Sequence, residues 1–356
     1  MTVMRHPRED ILVSVAIPAH NASDTLAETL RSVLGQTHPS LDIVVVDDGS
    51  TDETANVASS FGDRGRLVRQ PNAGISRARN ASLEACRGEF IALLDADDIC
   101  EPERIAVQLK YLLQNPEILL CSSDFSGFDH TGVLARSYCG HYYKRCSPEQ
   151  GGPAARYAER GTLDIGDCLP ESPTQPQSVS TLHGHVYEQL VLGNFVHPPT
   201  VMIRREALDK VGTFDAQFRI GCEWEWLVRV ARAGPIGYID RPLLRYRRSP
   251  TQVTHNPQTA LDALHVALLI HRRDPSLRRH APEAVRRHLG GLYLSAAYAL
   301  SERRPATALR LLAVSAVRYG ILRRTSLATL IRIVVPERLL DALRHGKQRM
   351  RDRKDR

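Results

Sequence analysis

Short, mostly apolar runs alternating with stretches of helical spacing constrain this chain more than any other feature. "ILVSVAI" (Ile11–Ile17), "LDIVVV" (Leu41–Val46), Glu89–Leu94 and Ile118–Ser122 read as buried strands, and Arg66–Arg69 as a further one. Helical patterns lie between them over Asp24–Gly35, Asp52–Phe61, Gly74–Arg87 and Ile105–Gln114. In the first of these Leu26, Leu30, Val33 and Leu34 share a face, and Gly35 is a natural stop. Strand, helix, strand, helix in short units implies an α/β fold with a mostly parallel sheet flanked by helices. Pro18 is expected to end the first strand.

Beyond Ile118 the pattern changes. Arg136–Ser180 is rich in Gly, Pro, Ser and Gln and reads as a loop region with a mobile portion. Order returns at Thr200–Leu208, a strand leading into a helix. "CEWEWLVRVARAG" (Cys222–Gly234) is an amphipathic helix that buries Trp226, Leu227 and Val230 and leaves Glu225 solvated. From Thr259 onward the chain is helical and Arg-rich, and no internal repeat is visible.

A chain of 356 residues suits one large or two modest domains. Charge supports a division near residue 256. Residues 257–356 hold 21 Lys+Arg against 8 Asp+Glu, whereas residues 1–256 hold 26 against 32. An acidic body with a basic tail suggests a division of labour. Arg interleaved with Leu and Ile in the tail matches helices that touch anionic membrane headgroups. No aromatic-interleaved platform points to nucleic acid. The N-terminal "MTVMRHPRED" is polar and reads as no secretory signal, and no apolar run reaches the length of a membrane helix. The seven Cys are scattered without a C-x-x-C pair, which suggests reduced thiols in a cytoplasmic protein.

Two clusters of acids pose the chemical question. Asp47 and Asp48 follow "IVVV", and Asp95, Asp97 and Asp98 follow "IALL". Ligands of parallel α/β sheets bind at the carboxyl ends of strands. If the two strands are neighbours, about five carboxylates converge, and Mg²⁺ or Mn²⁺ together with a diphosphate would relieve their repulsion. An EF-hand is excluded because Cys100 and Ala106 stand where its Gly and Glu belong. No P-loop and no G-x-G-x-x-G follows the first strand. The competing reading is that Asp95–Asp98 merely cap the helix beginning near Pro102.

Four blocks in order, "VSVAIPAHN", "IVVVDDGSTDET", "NAGISRARN" and "ALLDADD", resemble the family 2 glycosyltransferases. The resemblance spans about residues 11–250 and implies the GT-A nucleotide-sugar fold, a Rossmann-like sheet, with a basic helical C-terminal region beyond it. It implies transfer of a sugar from a nucleotide-diphosphate sugar to a saccharide or lipid-linked acceptor, with inversion, in bacterial polysaccharide or glycolipid synthesis. It places Pro18, Ala19 and Asn21 in the first nucleotide-contacting loop, Asp47 or Asp48 on the base, and Arg79 near the nucleotide. Asp95 becomes the ribose or diphosphate ligand, and Asp97 the metal-binding acid of the D-x-D, supported by Asp98. His20 stands where the family usually has an aromatic residue.

The family's base is the Asp of a Glu-Asp pair opening a helix. Aligning "RIGCEWEWLVR" on Arg229 puts Glu223 at the base and Cys222 at the preceding acid, so this chain departs from the pattern. Glu carries its carboxylate about 1.5 Å further out than Asp, on a scale to which reacting geometry is sensitive. Trp224 reads as core rather than as a sugar platform. His197 and His255 lie near segments that close the site in relatives. The rival readings are a nucleotidyltransferase, for which "IPAHNASD" lacks a basic Gly-rich loop, and a non-catalytic sugar-nucleotide-binding protein.

Overall fold

The computed structural model describes residues 10–170, 176–218, 220–249, 258–275, 277 and 281–334. They form two compact units, Met1–Pro250 and Thr251–Arg356. The first unit is built on one sheet.

Its early elements are β1 (Val13–Ala19), α1 (Leu26–Leu34), β2 (Leu41–Asp48), α2 (Thr54–Ser59), β3 (Arg66–Gln70), α3 (Ile75–Ala85), β4 (Phe90–Leu93), β5 (Ile99–Cys100) and α4 (Arg104–Gln114). They are followed by β6 (Leu120–Asp129), β7 (Gly132–Ala135), α5 (Cys139–Tyr142), β8 (Glu159–Asp164), β9 (Ser178–Gly184) and α6 (Tyr187–Leu190). Then come β10 (Met202–Arg204), α7 (Arg205–Val211), α8 (Cys222–Ala233) and β11 (Ile236–Arg247).

The sheet runs β3-β2-β1-β4-β10-β6-β11-β9-β8, with β5 paired to β11 and β7 to β6. It is parallel from β3 to β4, β10 inserts antiparallel, and β6 and β11 are parallel again. The expected parallel α/β core is therefore present, with antiparallel strands added beyond β4. All of β1 is buried, as are Ile43–Asp48 of β2 and all of β4, which is why these strands read as unbroken apolar runs.

Two expectations differ from the structure. β1 does not stop at Pro18 but continues to Ala19, opposite Asp47. Its pairing with β4 ends at Ala16, so the missing N–H of Pro18 interrupts no ladder on that side. The stretch 136–180, read as loop, carries α5, β8 and β9. β8 is an edge strand that buries only Leu163, so its composition is polar although its backbone is paired.

The second unit comprises α9 (Gln258–Arg273), α10 (Pro282–Leu300), α11 (Pro305–Ala313) and α12 (Arg324–Val334). Leu261, Leu264, Ala296, Leu300 and Ala308 form its core cluster. No described helix is long and apolar enough to cross a membrane.

Candidate active site

The parallel register brings the ends of β1, β2 and β4 to one rim of the sheet. Asp48 and the loop after β4 share that rim, but β1 lies between their strands. The acid-bearing strands are thus not neighbours, and the condition for all five carboxylates to converge is not met.

The first acid pair is spent on folding its own turn. Asp47 is buried, accepts the Ser50 N–H at 3.0 Å and meets Arg69 Nε at 3.3 Å. Asp48 accepts from Gln70 Nε2 at 2.6 Å and from the Ala73 and Gly74 N–H groups at 2.9 Å each. These bonds lay the turn after β2 against the segment that opens α3. Gly49 sits between at φ +67, where a Cβ would lie 2.5 Å from the Asn72 nitrogen. No other residue fits there without backbone movement.

Asn21 links the β1 loop to the same turn. Its Oδ1 accepts the Thr51 N–H, and its own N–H donates to Ser50 Oγ, both at 2.9 Å. His20 is exposed and donates from Nδ1 to the Asp48 carbonyl at 2.9 Å. Pro18 and Ala19 are buried within β1, so their side chains lie in the strand rather than in a loop.

The loop after β4 is held by its backbone. Thr25 and Thr29 both donate from Oγ1 to the Ala96 carbonyl at 3.0 Å. Arg247 donates from its N–H to Asp98 Oδ1 at 3.0 Å and from Nε to the Asp97 carbonyl at 2.9 Å. Burial, with the charges of Asp97 and Asp95 added, pushes the Asp98 carboxyl well above the usual range. Its Oδ2 is buried without a partner among the described residues. Burial and the neighbouring Asp95 also raise Asp97, to about 6, against the pull of a backbone hydrogen bond, Arg247 and Arg79.

The block "NAGISRARN" explains itself in three dimensions. Ser76, Arg79 and Asn80 fall on one face of α3, at helical spacing. Asn80 and Phe214 exchange hydrogen bonds of 2.9 and 2.8 Å, and Ser76 donates to the Phe218 carbonyl. The face therefore clamps the segment leading into α8, which Gly221 opens at φ +81. Between those clamps Arg79, only 6% exposed, donates to Asp95 Oδ1 at 2.9 Å and to Glu223 Oε1. Burial opposes the charge on Glu223, but Arg79 outweighs it, aided by hydrogen bonds from the backbone and Cys222, and the pKa lies below the usual value.

The remaining candidates separate clearly. Glu225 is not solvated as expected. It is buried and accepts from Arg229 Nε at 3.0 Å, because a partner one turn on makes its burial tolerable. Trp224 is core, with Nε1 donating to the Leu190 carbonyl at 2.7 Å. His197 is 4% exposed and stacks on Phe125 with centroids 4.0 Å apart. Burial pushes its pKa down to about 3, with Arg104 and Arg79 adding to the effect, so the ring is neutral. His255 lies outside the described residues. All seven cysteines are buried free thiols.

The five acids do not pool. Asp47 and Asp48 are satisfied by Ser50 and by the segment Arg69–Gly74, and among the described residues no three His, Cys, Asp or Glu come together as a metal-holding group. What remains at the rim is Asp95, Asp97 and Asp98. Mg²⁺ and Mn²⁺ need only one or two carboxylates when phosphates and water complete the shell. The raised Asp97 and the orphaned Asp98 oxygen fit such a cation. Arg104, which donates to the Leu93 carbonyl at 2.8 Å beneath this loop, had no sequence signal beyond a single Arg, and Arg247 none that set it apart in the run Arg245–Arg248.

An α/β sheet of GT-A type, with acids at the carboxyl rim and an arginine tying them to a helix-opening glutamate, defines the glycosyltransferase class. Residues 14–160 match the family model for Glycosyl transferase family 2. An uncharacterized glycosyltransferase of Rickettsia prowazekii is 27% identical over 256 residues, covering 71% of this chain and 68% of the relative. A putative teichuronic acid biosynthesis glycosyltransferase of Bacillus subtilis is 35% identical over 121 residues, 33% of this chain and 46% of its own length. A mannosyltransferase of Pyrobaculum calidifontis, solved with GDP-Man and Mn²⁺, shares the fold with a TM-score of 0.53. It is 18% identical, with 89% of this chain and 78% of that one covered.

Proposed function

We propose that the chain transfers a sugar from a nucleotide-diphosphate sugar to a hydroxyl of a saccharide or lipid-linked acceptor, by inversion. The observation that carries this is the Arg79 bridge, which sets a donor-side acid, Asp95, beside a helix-opening carboxylate, Glu223. Glu223 takes the proton of the acceptor hydroxyl as its oxygen bonds to the anomeric carbon. The bond from that carbon to the diphosphate breaks, and the nucleoside diphosphate leaves with the electron pair. A single displacement without a covalent intermediate inverts the carbon.

Asp97, supported by Asp98, would hold Mn²⁺ or Mg²⁺, which supplies Lewis-acid stabilisation of the departing diphosphate. The mannosyltransferase that shares the fold is itself bound to Mn²⁺. Asp95 and Arg79 orient the donor. Asn21 and the turn it supports, with Pro18 and Ala19 behind it, shape the nucleotide pocket. Asp48 acts there by holding that turn. A role in polysaccharide synthesis is supported by the Bacillus relative's name. Thermal-shift screening of UDP-, GDP- and dTDP-sugars with Mn²⁺, followed by turnover of the stabilising donor by wild type and Glu223→Gln, tests the reading. Binding without turnover by wild type would favour a non-catalytic sugar-nucleotide-binding protein.

For a cytoplasmic enzyme with a lipid-linked acceptor, peripheral contact with the anionic inner face of the membrane follows. In the second unit Val317, Leu322, Leu327 and Val334 are exposed among Arg318, Arg323 and Arg324. The full chain is expected to float with anionic vesicles. The pair Leu322→Asp and Leu327→Asp is expected to reduce this, and equal flotation would remove the membrane reading.

A further inference from the structure

We propose that Tyr142 is the stacking floor of a pyranose subsite that holds the acceptor saccharide beside Glu223; this rests on the glycosyltransferase reading above. Tyr142 ends α5, in the stretch whose composition suggested only a loop. Tyr142 is 37% exposed, yet its ring packs against buried rings. Tyr246 meets it edge-on at 5.4 Å and His197 at 5.2 Å, with Phe125 6.0 Å away. An exposed aromatic ring held this way presents a flat apolar surface whose conformational entropy is already lost.

The cluster is tied to the acid rim. Tyr246 immediately precedes Arg247, whose N–H and Nε hold Asp98 and the Asp97 carbonyl. The Tyr142 hydroxyl is raised by burial and then by the charges of Asp95, Glu223 and Asp98, while a hydrogen bond with Tyr246 works the other way. Tyr142 is thus tied through Tyr246 and Arg247 to the loop that carries Asp95, Asp97 and Asp98.

A second mark of ligand chemistry lies in the same cluster. His197 faces the Tyr143 hydroxyl through Nδ1 at 3.2 Å, and its Nε2 is buried with no partner among the described residues. A buried, neutral imidazole with one unmet hydrogen bond suits an ordered water at the back of the subsite.

A sugar is the ligand this surface fits. The C–H face of a pyranose packs on an aromatic ring while its rim hydroxyls reach polar tips, here Tyr142 and Tyr246. One partly exposed ring matches one pyranose. Trp224, the aromatic next to Glu223 in sequence, offers no such face because it is buried.

Saturation-transfer NMR on the full chain, with the stabilising nucleotide as its diphosphate, tests this. The probes are methyl β-glucopyranoside, methyl β-galactopyranoside and methyl N-acetyl-β-glucosaminide. At least one is expected to show saturation at its ring C–H protons with wild type and with Tyr142→Phe. In Tyr142→Ala, whose melting curve checks its folding, that signal is expected to fall about three- to tenfold. Equal saturation in wild type and Tyr142→Ala overturns the subsite, as does silence of all three probes against a wild type that binds donor. If no nucleotide sugar raises the melting temperature of wild type, the glycosyltransferase reading falls and takes the subsite with it.

Discussion

Arg79 donates to Asp95 at 2.9 Å through one guanidinium nitrogen and to Glu223 through the other, so one buried cation joins the loop after β4 to the first turn of α8. Removing it leaves two carboxylates facing each other without compensation. Arg79→Ala is expected to cost about 3–5 kcal/mol of stability at neutral pH and to abolish turnover. Arg79→Lys is expected to lose most activity too, because a single ammonium cannot hold both carboxylates in that fork. Chemical denaturation alongside a donor-turnover assay checks both.

Glu223→Gln keeps the shape of the side chain and removes the base. Turnover is expected to fall about 10²–10⁴-fold, with donor affinity retained. Glu223→Asp withdraws the carboxylate from Arg79 by a methylene and is expected to cost at least about tenfold, although Asp is the family's usual residue. Steady-state kinetics and donor calorimetry on the two variants separate these effects.

Asp97 gives a pH signature. Its folded-state pKa of about 6 exceeds the unfolded value, so between roughly pH 4 and 6 the folded chain holds the extra proton. The metal-free protein should therefore lose stability as pH rises through that window, by about 1–2 kcal/mol once solvent screening of this partly exposed group is allowed for. A proton competes with a cation for the same oxygen, so Mn²⁺ affinity should weaken as pH falls below about 6. Melting curves with and without Mn²⁺ from pH 5 to 8 read both trends, and Asp97→Asn should flatten them.

Asp48 tests whether the turn after β2 is structural. Its three accepted hydrogen bonds are all internal. Asp48→Ala is expected to destabilise the fold by about 2–4 kcal/mol, since it orphans two backbone N–H groups. Loss of discrimination among nucleotide bases with unchanged stability would instead give Asp48 a direct base contact.

The legible part of the fold was the part buried on both faces. β1, the centre of β2 and β4 are almost wholly apolar, and α1, α3, α4 and α8 were placed within two residues of their ends. β11 was missed because its ladder to β6 shifts register around Pro242 and again before Arg245, so neither a continuous apolar run nor strict alternation survives. β8 was missed because an edge strand carries polar residues on its open side, and β9 because its Ser and Thr residues interrupt any apolar run.

At the site, the residues found were those in dense local blocks, and the residues missed act across long sequence separations. Arg79 was named for its motif, but its bridge to Glu223 spans 144 positions. Glu225 was misread because an acid two residues beyond the base looks solvated until Arg229 folds back on it. Tyr142 had no signal at all: its meaning comes from Tyr246, 104 positions away, and from the acids both of them overlook.

The most direct test of the central claim is calorimetric titration of the stabilising nucleotide sugar, with Mn²⁺, into wild type, Asp95→Asn and Asp97→Asn. The account expects tight binding to wild type, with affinity reduced at least about tenfold in each variant, one charge-assisted interaction being worth 1.5–3 kcal/mol. Equal binding by all three proteins, or none by any of UDP-, GDP- and dTDP-sugars, would contradict the assignment of this rim as the donor site.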